Sequence, residues 1–499
     1  MQNMANKHPT RNFFSKCQSP LFIRPCLTLI FFIFPAFFAI TCLAGHLPAA
    51  ETESPLQITS VSWEKEYFVT DPVFDSRVFM CETGLENDRY FVLIHGAGAE
   101  ASTIWKPLLP ALGKNFHVLT FDLPGFGKSE KSNTNYNPER FSRFISWVVD
   151  THTKGKIYLL GHSLGGALAL DYTATHAEKV EKLILVDVAG ILHRAALTKF
   201  YLAVDEPGPS ESTISKLITT PFERPLQVLN NLTGNIVENL EKENTDEKVD
   251  VILSSKKMRE NLLGGSPGVI AGMALLRENF TDTLHRVKPE TLVIWGGRDK
   301  VAPLRTGKLL QAKLPRATLH VIDSGHVPMT EQTDLFLETL FAGLSRPYAQ
   351  QPPPQFDNVN RTGSCQRQNY VVFSGEYERI VIEDCRYALL SNVTAGQVHI
   401  TNSEAIIENS IIRNETAEVT PLTVRRSRLE ITAASIAGDV AIYTSRSRLD
   451  LAGVDVHGKL SAVNAGDDSV LLFSVSTVKS PKMQSDMHGI VKLNAGDNL

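Results

Sequence analysis

Lys156-Ile157-Tyr158-Leu159-Leu160-Gly161-His162-Ser163-Leu164-Gly165-Gly166-Ala167-Leu168-Ala169-Leu170 decides the reading of the first half of this chain. An apolar run of strand type leads into Gly161-His162-Ser163-Leu164-Gly165, and a run of helix formers follows. Strand, G-x-S-x-G turn and helix, in that order, put the serine on a sharp bend with its hydroxyl projecting from the sheet. Small flanking residues admit the bend. The helix N-terminus behind it lends positive potential to an anion formed there. Ser163 is therefore a candidate nucleophile. Taken alone, the five residues also suit a serine that merely turns the chain, so the rest of the sequence must supply its partners.

A serine hydroxyl is a weak nucleophile until a base, such as a histidine oriented by a carboxylate, accepts its proton. Thr291-Leu292-Val293-Ile294-Trp295-Gly296-Gly297-Arg298-Asp299 reads as an apolar strand, a glycine turn and an acid. Ala317-Thr318-Leu319-His320-Val321-Ile322-Asp323-Ser324-Gly325-His326 is a second strand, ending in Gly-His. Asp187, after the strand 182–186, is a rival acid. His320 lies mid-strand and is expected to be structural, and Asp323 to be a turn residue. Tyr90-Phe91-Val92-Leu93-Ile94 is an early strand followed by the loop His95-Gly96-Ala97-Gly98-Ala99, whose glycines allow close backbone approach. His95 is expected to brace that loop and His162 to pack within the elbow.

These residues resemble the α/β-hydrolase family, whose chain order is Ser, then acid, then His. The resemblance implies a triad of Ser163, Asp299 and His326. It favours Asp299 over Asp187, because Trp-Gly-Gly-Arg-Asp is similar to the family's acid loop. It implies that the oxyanion is held by the backbone N–H groups of Leu164, the residue after the nucleophile, and of Ala97, the residue after His95-Gly96. Phe121-Asp122-Leu123-Pro124-Gly125-Phe126-Gly127-Lys128-Ser129 carries a P-G-x-G-x-S pattern. That pattern is similar to the branch holding esterases, epoxide hydrolases, haloalkane dehalogenases and carbon–carbon bond hydrolases. Serine rather than aspartate at the elbow points to ester, thioester or carbon–carbon bond hydrolysis. The resemblance spans residues 60–345 and says nothing specific of the substrate.

The chain has 499 residues, enough for two or more domains. Its net charge of −4 gives no sign of nucleic-acid binding. No phosphate-cradling loop or metal-ligand cluster stands out, so neither a cofactor nor a metal is expected. Residues 1–50 read as an export signal. Lys7, Arg11, Lys16 and Arg24 precede an apolar stretch from Leu27 to Thr41, and small residues follow at Ala44-Gly45 and Ala49-Ala50. The apolar stretch falls short of the ~20 residues of a spanning helix. The expectation is a periplasmic or secreted protein. An uncleaved membrane anchor is the alternative, and Cys42 as a lipid acceptor lacks the usual preceding residues.

Strands alternate with helices to about residue 189, the pattern of a mostly parallel, helix-covered sheet. The pattern breaks over 191–285, where the resemblance implies a helical cap over the site. Leu197, Phe200, Leu202, Ile214 and Leu217 either line its pocket or pack its interior, and the charged run Glu238–Lys248 is expected to be a solvated helix face. The hydrolase-like region is placed at 51–345. Residues 346–359, with Pro352-Pro353-Pro354, read as a semi-rigid linker.

Residues 360–499 change character to short alternating β-rich segments. Arg426-Ser427-Arg428-Leu429-Glu430-Ile431 returns as Arg446-Ser447-Arg448-Leu449-Asp450-Leu451, and Asn402-Ser403-Glu404-Ala405-Ile406-Ile407 is a degraded copy. A short period of this kind indicates a stacked solenoid. It resembles the right-handed parallel β-helix of pectate-lyase-like proteins. Cys365 and Cys385 share the same offset as the two copies, which would stack them in adjacent rungs as a disulfide and leave Cys81 free and buried. Asp450, Asp455, Asp467 and Asp468 are expected on turns and solvated faces rather than at a metal-assisted lyase site.

The sequence therefore predicts an exported serine hydrolase of esterase or lipase type, an α/β fold with a helical cap and an all-β C-terminal solenoid. Its substrate is expected to be a small-molecule or lipid ester. A polysaccharide or protein is expected as ligand of the C-terminal domain, and membrane contact only through an uncleaved N-terminal segment. Two alternatives stay open: carbon–carbon bond hydrolysis with the same triad, and a surface binding or adhesion protein with a vestigial hydrolase.

Overall fold

A computed structural model describes residues 62–197, 245–349 and 361–499. The expected export signal, the middle of the cap with Phe200, Leu202, Ile214 and Leu217, and the proline-rich stretch lie outside them. The described residues pack as one compact unit.

The first half is an eight-stranded sheet. Its strands are β1 (Lys65–Asp71), β2 (Ser76–Thr83), β3 (Tyr90–Ile94), β4 (His117–Phe121), β5 (Ile157–His162), β6 (Val180–Val186), β7 (Glu290–Gly296) and β8 (Ala317–Ile322). They lie in the order β1-β2-β4-β3-β5-β6-β7-β8. Only β2 pairs antiparallel with its neighbours β1 and β4; the rest of the sheet is parallel. Strands buried on both faces read as continuous apolar runs, which is why β3 and β5 were legible. Helices α1 (Pro138–His152), α2 (Leu164–Thr175), α3 (Thr245–Ser254), α4 (Lys256–Leu263), α5 (Pro267–Leu275), α6 (Thr281–Arg286), α7 (Leu304–Lys313) and α8 (Thr333–Ser345) complete this half. Asn137 caps α1 by accepting from the Arg140 amide at 2.9 Å, with Pro138 at the first helical position.

The C-terminal part, residues 361–499, is a closed sheet of stacked strands. It comprises β9 (Thr362–Gln366), β10 (Val372–Glu383), β11 (Ala388–Thr401), β12 (Glu404–Glu408), β13 (Ile411–Arg413), β14 (Leu422–Arg425), β15 (Arg428–Thr432), β16 (Ser435–Ser445), β17 (Arg448–Ala452), β18 (Asp455–Ala465), β19 (Ser469–Lys479) and β20 (Gln484–Leu493). The pairings run β11-β12-β15-β17-β19-β18-β16-β13 and back to β11. All are parallel except that of β19 with β20. Inside lies an apolar stack that includes Leu429, Leu449 and Leu471.

The repeated serine of the R-S-R motif has a structural reason. At one corner of the coil the amide of Cys385 donates to Ser403 Oγ at 2.9 Å. Ser403 N donates likewise to Ser427 Oγ at 3.0 Å, Ser427 N to Ser447 Oγ at 3.2 Å and Ser447 N to Ser469 Oγ at 3.3 Å. The residue before each of the first four members, Asp384, Asn402, Arg426 and Arg446, is left-handed, which turns the chain at that corner. The separations along this ladder are 18, 24, 20 and 22 residues, so the period is not uniform. Cys365 and Cys385 form a disulfide with a Cα separation of 6.4 Å. They are not register partners, however: Cys365 stands opposite Ile382, and Cys385 lies past the strand end at the corner. Cys81 is free and buried, and burial pushes its thiol up to about 12.

The two halves share an interface along α7. Arg305 reaches Asp450, Glu430 and Thr432; Lys308 pairs with Glu408; Lys313 meets Asp455 at 2.6 Å. Ala452, Leu472 and Val475 of the coil belong to the apolar core around the eight-stranded sheet. This corrects the expectation for Asp450, which is buried in an ion pair at 9% exposure instead of lying on a solvated face.

Ser427→Ala removes the acceptor of the buried Ser403 amide. An orphaned buried donor costs about 1–3 kcal/mol, and chemical denaturation is expected to show a loss of that size. A loss within ~0.5 kcal/mol, the range of ordinary surface substitutions, would mean the ladder does not stabilise the coil.

Candidate active site

Ser163 follows β5 at φ +53°, a region that side chains rarely adopt. Close packing enforces this bend. A Cβ on Gly161 would lie 2.2 Å from Gly165 O, and one on Gly165 would lie 2.3 Å from Ile94 O. The elbow is thus pressed between the start of α2 and the end of β3. Gly96 is equally constrained, since its Cβ would meet that of Ser163 at 2.9 Å. Ser163 N donates to Val186 O at 2.9 Å, tying the elbow to β6.

Asp299 sits in the turn after β7. Its Oδ1 accepts from the amides of Val301 at 2.7 Å and Ala302 at 3.0 Å, and its Oδ2 is 2.8 Å from His326 Nδ1. A carboxylate only accepts, so Nδ1 carries the proton and His326 Nε2 is left as the base. Among the described residues no hydrogen bond joins Ser163 Oγ to His326; such bonds often tighten only when substrate is bound.

His162, packed at the elbow as expected, and two groups to which the sequence assigned no role, Glu331 and Asp122, hold these residues. Glu331 accepts from the amides on both sides of His326, Gly325 at 2.6 Å and Val327 at 3.2 Å. His162 Nε2 donates to His326 O at 2.8 Å, and the two rings lie 4.8 Å apart. Asp122, in the P-G-x-G-x-S turn, accepts from Ser102 N at 2.9 Å and from Lys128 N at 2.7 Å, fastening the segment after the glycine loop. The only sequence signal for Asp122 was the glycine turn itself. Glu331 bonds the Gly325 and Val327 amides through the turn that follows β8, which no periodicity in the sequence reveals.

His95 braces the loop as expected: its Nε2 accepts from Leu123 N at 2.9 Å, and it is buried. Burial holds His95 below the ordinary histidine range, and burial with the nearby His326 holds His162 well below it. The Leu164 amide opens α2 and has no intrahelical acceptor. The Ala97 amide donates to no group among the described residues. Both are therefore available to an oxyanion. His320 is exposed on β8, and Asp323 pairs with Arg298 at 2.8 Å on the surface.

Asp187, the rival acid, lies beside Asp299 without replacing it. It is fully buried at φ +45°, and its Oδ1 accepts from Gly296 N at 2.8 Å. Burial first, and then the Asp299 charge, push its carboxyl well above the usual range. His162, Asp187 and His326 each bring one donor atom within 4.8 Å of the others. A metal there would compete with the His326–Asp299 bond and need Asp187 ionised, so the donor set suits a proton-holding cluster better than a cation.

Residues 90–333 match the family model of the alpha/beta hydrolase fold. Residues 90–333 therefore carry the alpha/beta hydrolase fold. The chain is 29% identical over 290 residues to the 2-hydroxy-6-oxononadienedioate/2-hydroxy-6-oxononatrienedioate hydrolase 1 of Pseudomonas putida, covering 56% of this chain and 95% of that protein. It is 26% identical over 270 residues to a 2-hydroxy-6-oxononadienedioate/2-hydroxy-6-oxononatrienedioate hydrolase of Escherichia coli, covering 52% and 89%. Among solved structures it is similar to an enol-lactonase from Burkholderia xenovorans, at 20% identity and TM-score 0.40, covering 56% of this chain and 100% of that one. It is also similar to an esterase from Exiguobacterium antarcticum, at 18% identity and TM-score 0.41, with the same coverage. Among the described residues no helix is long and apolar enough to cross a membrane.

A carboxyl raised in the folded state gives stability that is complete below the unfolded value of about 3.9 and is lost as pH rises through the folded value. Asp187→Asn stays neutral throughout. Thermal unfolding is expected to show wild type losing stability relative to Asp187→Asn as pH rises from about 4 towards neutrality and above. Parallel curves would show that Asp187 ionises as it does in the unfolded chain.

Proposed function

We propose that the protein is a serine hydrolase that cleaves carboxylic esters through an acyl-enzyme on Ser163. The observation that carries this reading is the Asp299 Oδ2–His326 Nδ1 contact of 2.8 Å at the loop bonded to the elbow. His326 Nε2 takes the Ser163 proton as Oγ attacks the carbonyl carbon. The Ala97 and Leu164 amides receive the oxyanion. The C–O bond breaks, and the alcohol leaves with the proton from His326. Water then gives a proton to His326 and attacks the acyl carbon, the bond to Oγ breaks, and Ser163 regains its proton as the acid departs. Asp299 holds the tautomer and steadies the imidazolium.

Carbon–carbon bond hydrolysis is the second reading, favoured by the substrate names of the Pseudomonas and Escherichia relatives. Those names specify a ketone at carbon 6. The same attack there expels a carbon group, which leaves with a proton, in place of an alcohol.

Export is proposed on residues 1–50, and the Cys365–Cys385 disulfide suits an oxidising compartment. The mass of the mature protein is expected to place its N-terminus near residue 45 or 51; a full-length chain in the membrane fraction would argue for an anchor. For the C-terminal half we propose a right-handed β-helix that binds a polysaccharide or protein. A cavity of about 600 Å³ there, lined by Arg426, Arg428, Arg446, Arg448 and Lys492, fits an acidic ligand.

A p-nitrophenyl ester series from acetate to palmitate, run beside 2-hydroxy-6-oxononadienedioate, tests the reaction. Wild type is expected to hydrolyse the esters, with Ser163→Ala and His326→Ala slower by about a thousandfold or more. Turnover of the dienedioate alone would establish the second reading. Folded wild type inert towards both would leave a binding protein with a vestigial hydrolase domain.

A further inference from the structure

Arg305 lies in the first turn of α7, directly after the turn that carries Asp299. Its side chain is only 11% exposed, and the partners of its guanidinium all lie on the C-terminal coil. Nη2 donates to Asp450 Oδ1 at 2.9 Å, to Asp450 O at 3.0 Å and to Ile431 O at 3.3 Å. Nε donates to Thr432 Oγ1 at 2.8 Å, and Nη1 pairs with Glu430 at 3.4 Å. The rigid fork of an arginine fixes direction as well as distance.

The path from this side chain to the triad is short and continuous. Pro303 caps α7, and its carbonyl accepts from Thr306 N at 2.8 Å. Ala302 O accepts from Trp295 Nε1 at 3.0 Å, which ties the turn back to β7. The amides of Val301 and Ala302 hold Asp299 Oδ1, which leaves Oδ2 for His326. The coil also grips the loop after Asp187: His193 N donates to Ser474 Oγ at 3.0 Å, and the His193 ring packs 5.2 Å from that of His488.

Stability alone does not account for a largely buried arginine here. Apolar side chains of similar volume commonly match or exceed a buried ion pair in stability. Docking alone is served further along α7 by Lys308–Glu408 and Lys313–Asp455.

We infer that Arg305 is a positioning residue: held by Asp450 and Glu430 of the coil, it fixes the start of α7 and so aims Asp299 at His326, which makes the coil a working part of the hydrolase site. The inference rests on the proposed Ser163–His326–Asp299 triad.

The test uses the full chain with Arg305→Met, Arg305→Lys, Asp450→Asn and, as control, Lys313→Met. Readouts are kcat and KM on the best ester, melting temperature, and the rate of Ser163 labelling by a fluorophosphonate. Arg305→Met is expected to lower kcat and labelling about tenfold, or about 1.4 kcal/mol in barrier, with KM changed by less than about twofold. Arg305→Lys recovers part of the loss. Asp450→Asn, milder for folding, lowers kcat in the same direction. Lys313→Met lowers the melting temperature but leaves kcat within about twofold. Wild-type labelling with an unchanged rate in Arg305→Met overturns the inference and leaves the triad standing. An equal kcat loss in Lys313→Met also overturns it, because the effect would then be docking. Failure of wild type to label would overturn the triad reading itself, and the inference with it.

Discussion

The left-handed turn at Ser163 is the constraint on which the rest of the site depends. The start of α2 packs so close to the end of β5 that only glycine fits at 161, and so close to the end of β3 that only glycine fits at 165. The same closeness places the Leu164 amide at the head of a helix and the glycine loop against the serine Cβ. The strain is local, and the surrounding sheet carries it: Ser163 N bonds β6, and Ser163 O accepts from the start of α2 and from Ala189. Nucleophile, oxyanion donors and the post-β6 loop are therefore one packed object rather than separate parts.

Charge is distributed with similar economy. Two carboxyls follow neighbouring strands, and their partners differ. Asp299 is held by two amides and a histidine. Asp187 has one amide and complete burial, which with the Asp299 charge pushes its carboxyl well above the usual range. On the coil, acidic residues of the repeat face the hydrolase, where Glu430 and Asp450 meet Arg305. The arginines at the start of the same repeat line the open cavity. One short motif thus provides a corner serine, an intramolecular contact and an exposed basic surface.

The elbow, β3 and β8 were legible because each depends on local pattern: apolar runs and glycines at a bend. The roles of His95 and His162 followed from the same local logic. Glu331, Asp122 and Arg305 were not legible, since their meaning comes from partners that only the fold brings near. Asp450 was misjudged for that reason: as sequence it is one more polar position on a strand, and only the approach of α7 buries it. The uniform period was also too simple. The corner ladder fixes hydroxyl-to-amide contacts between turns, while the length of chain between corners varies.

Direct capture of the acyl-enzyme tests the central claim most directly. His326→Ala should slow deacylation as well as acylation, so wild type and this variant would be mixed with an activated ester, quenched in acid and digested for mass mapping. The account predicts an acyl adduct on the peptide bearing Ser163, absent from Ser163→Ala. Ester hydrolysis by wild type with no adduct on that peptide at any quench time, or an adduct on another residue, would contradict it.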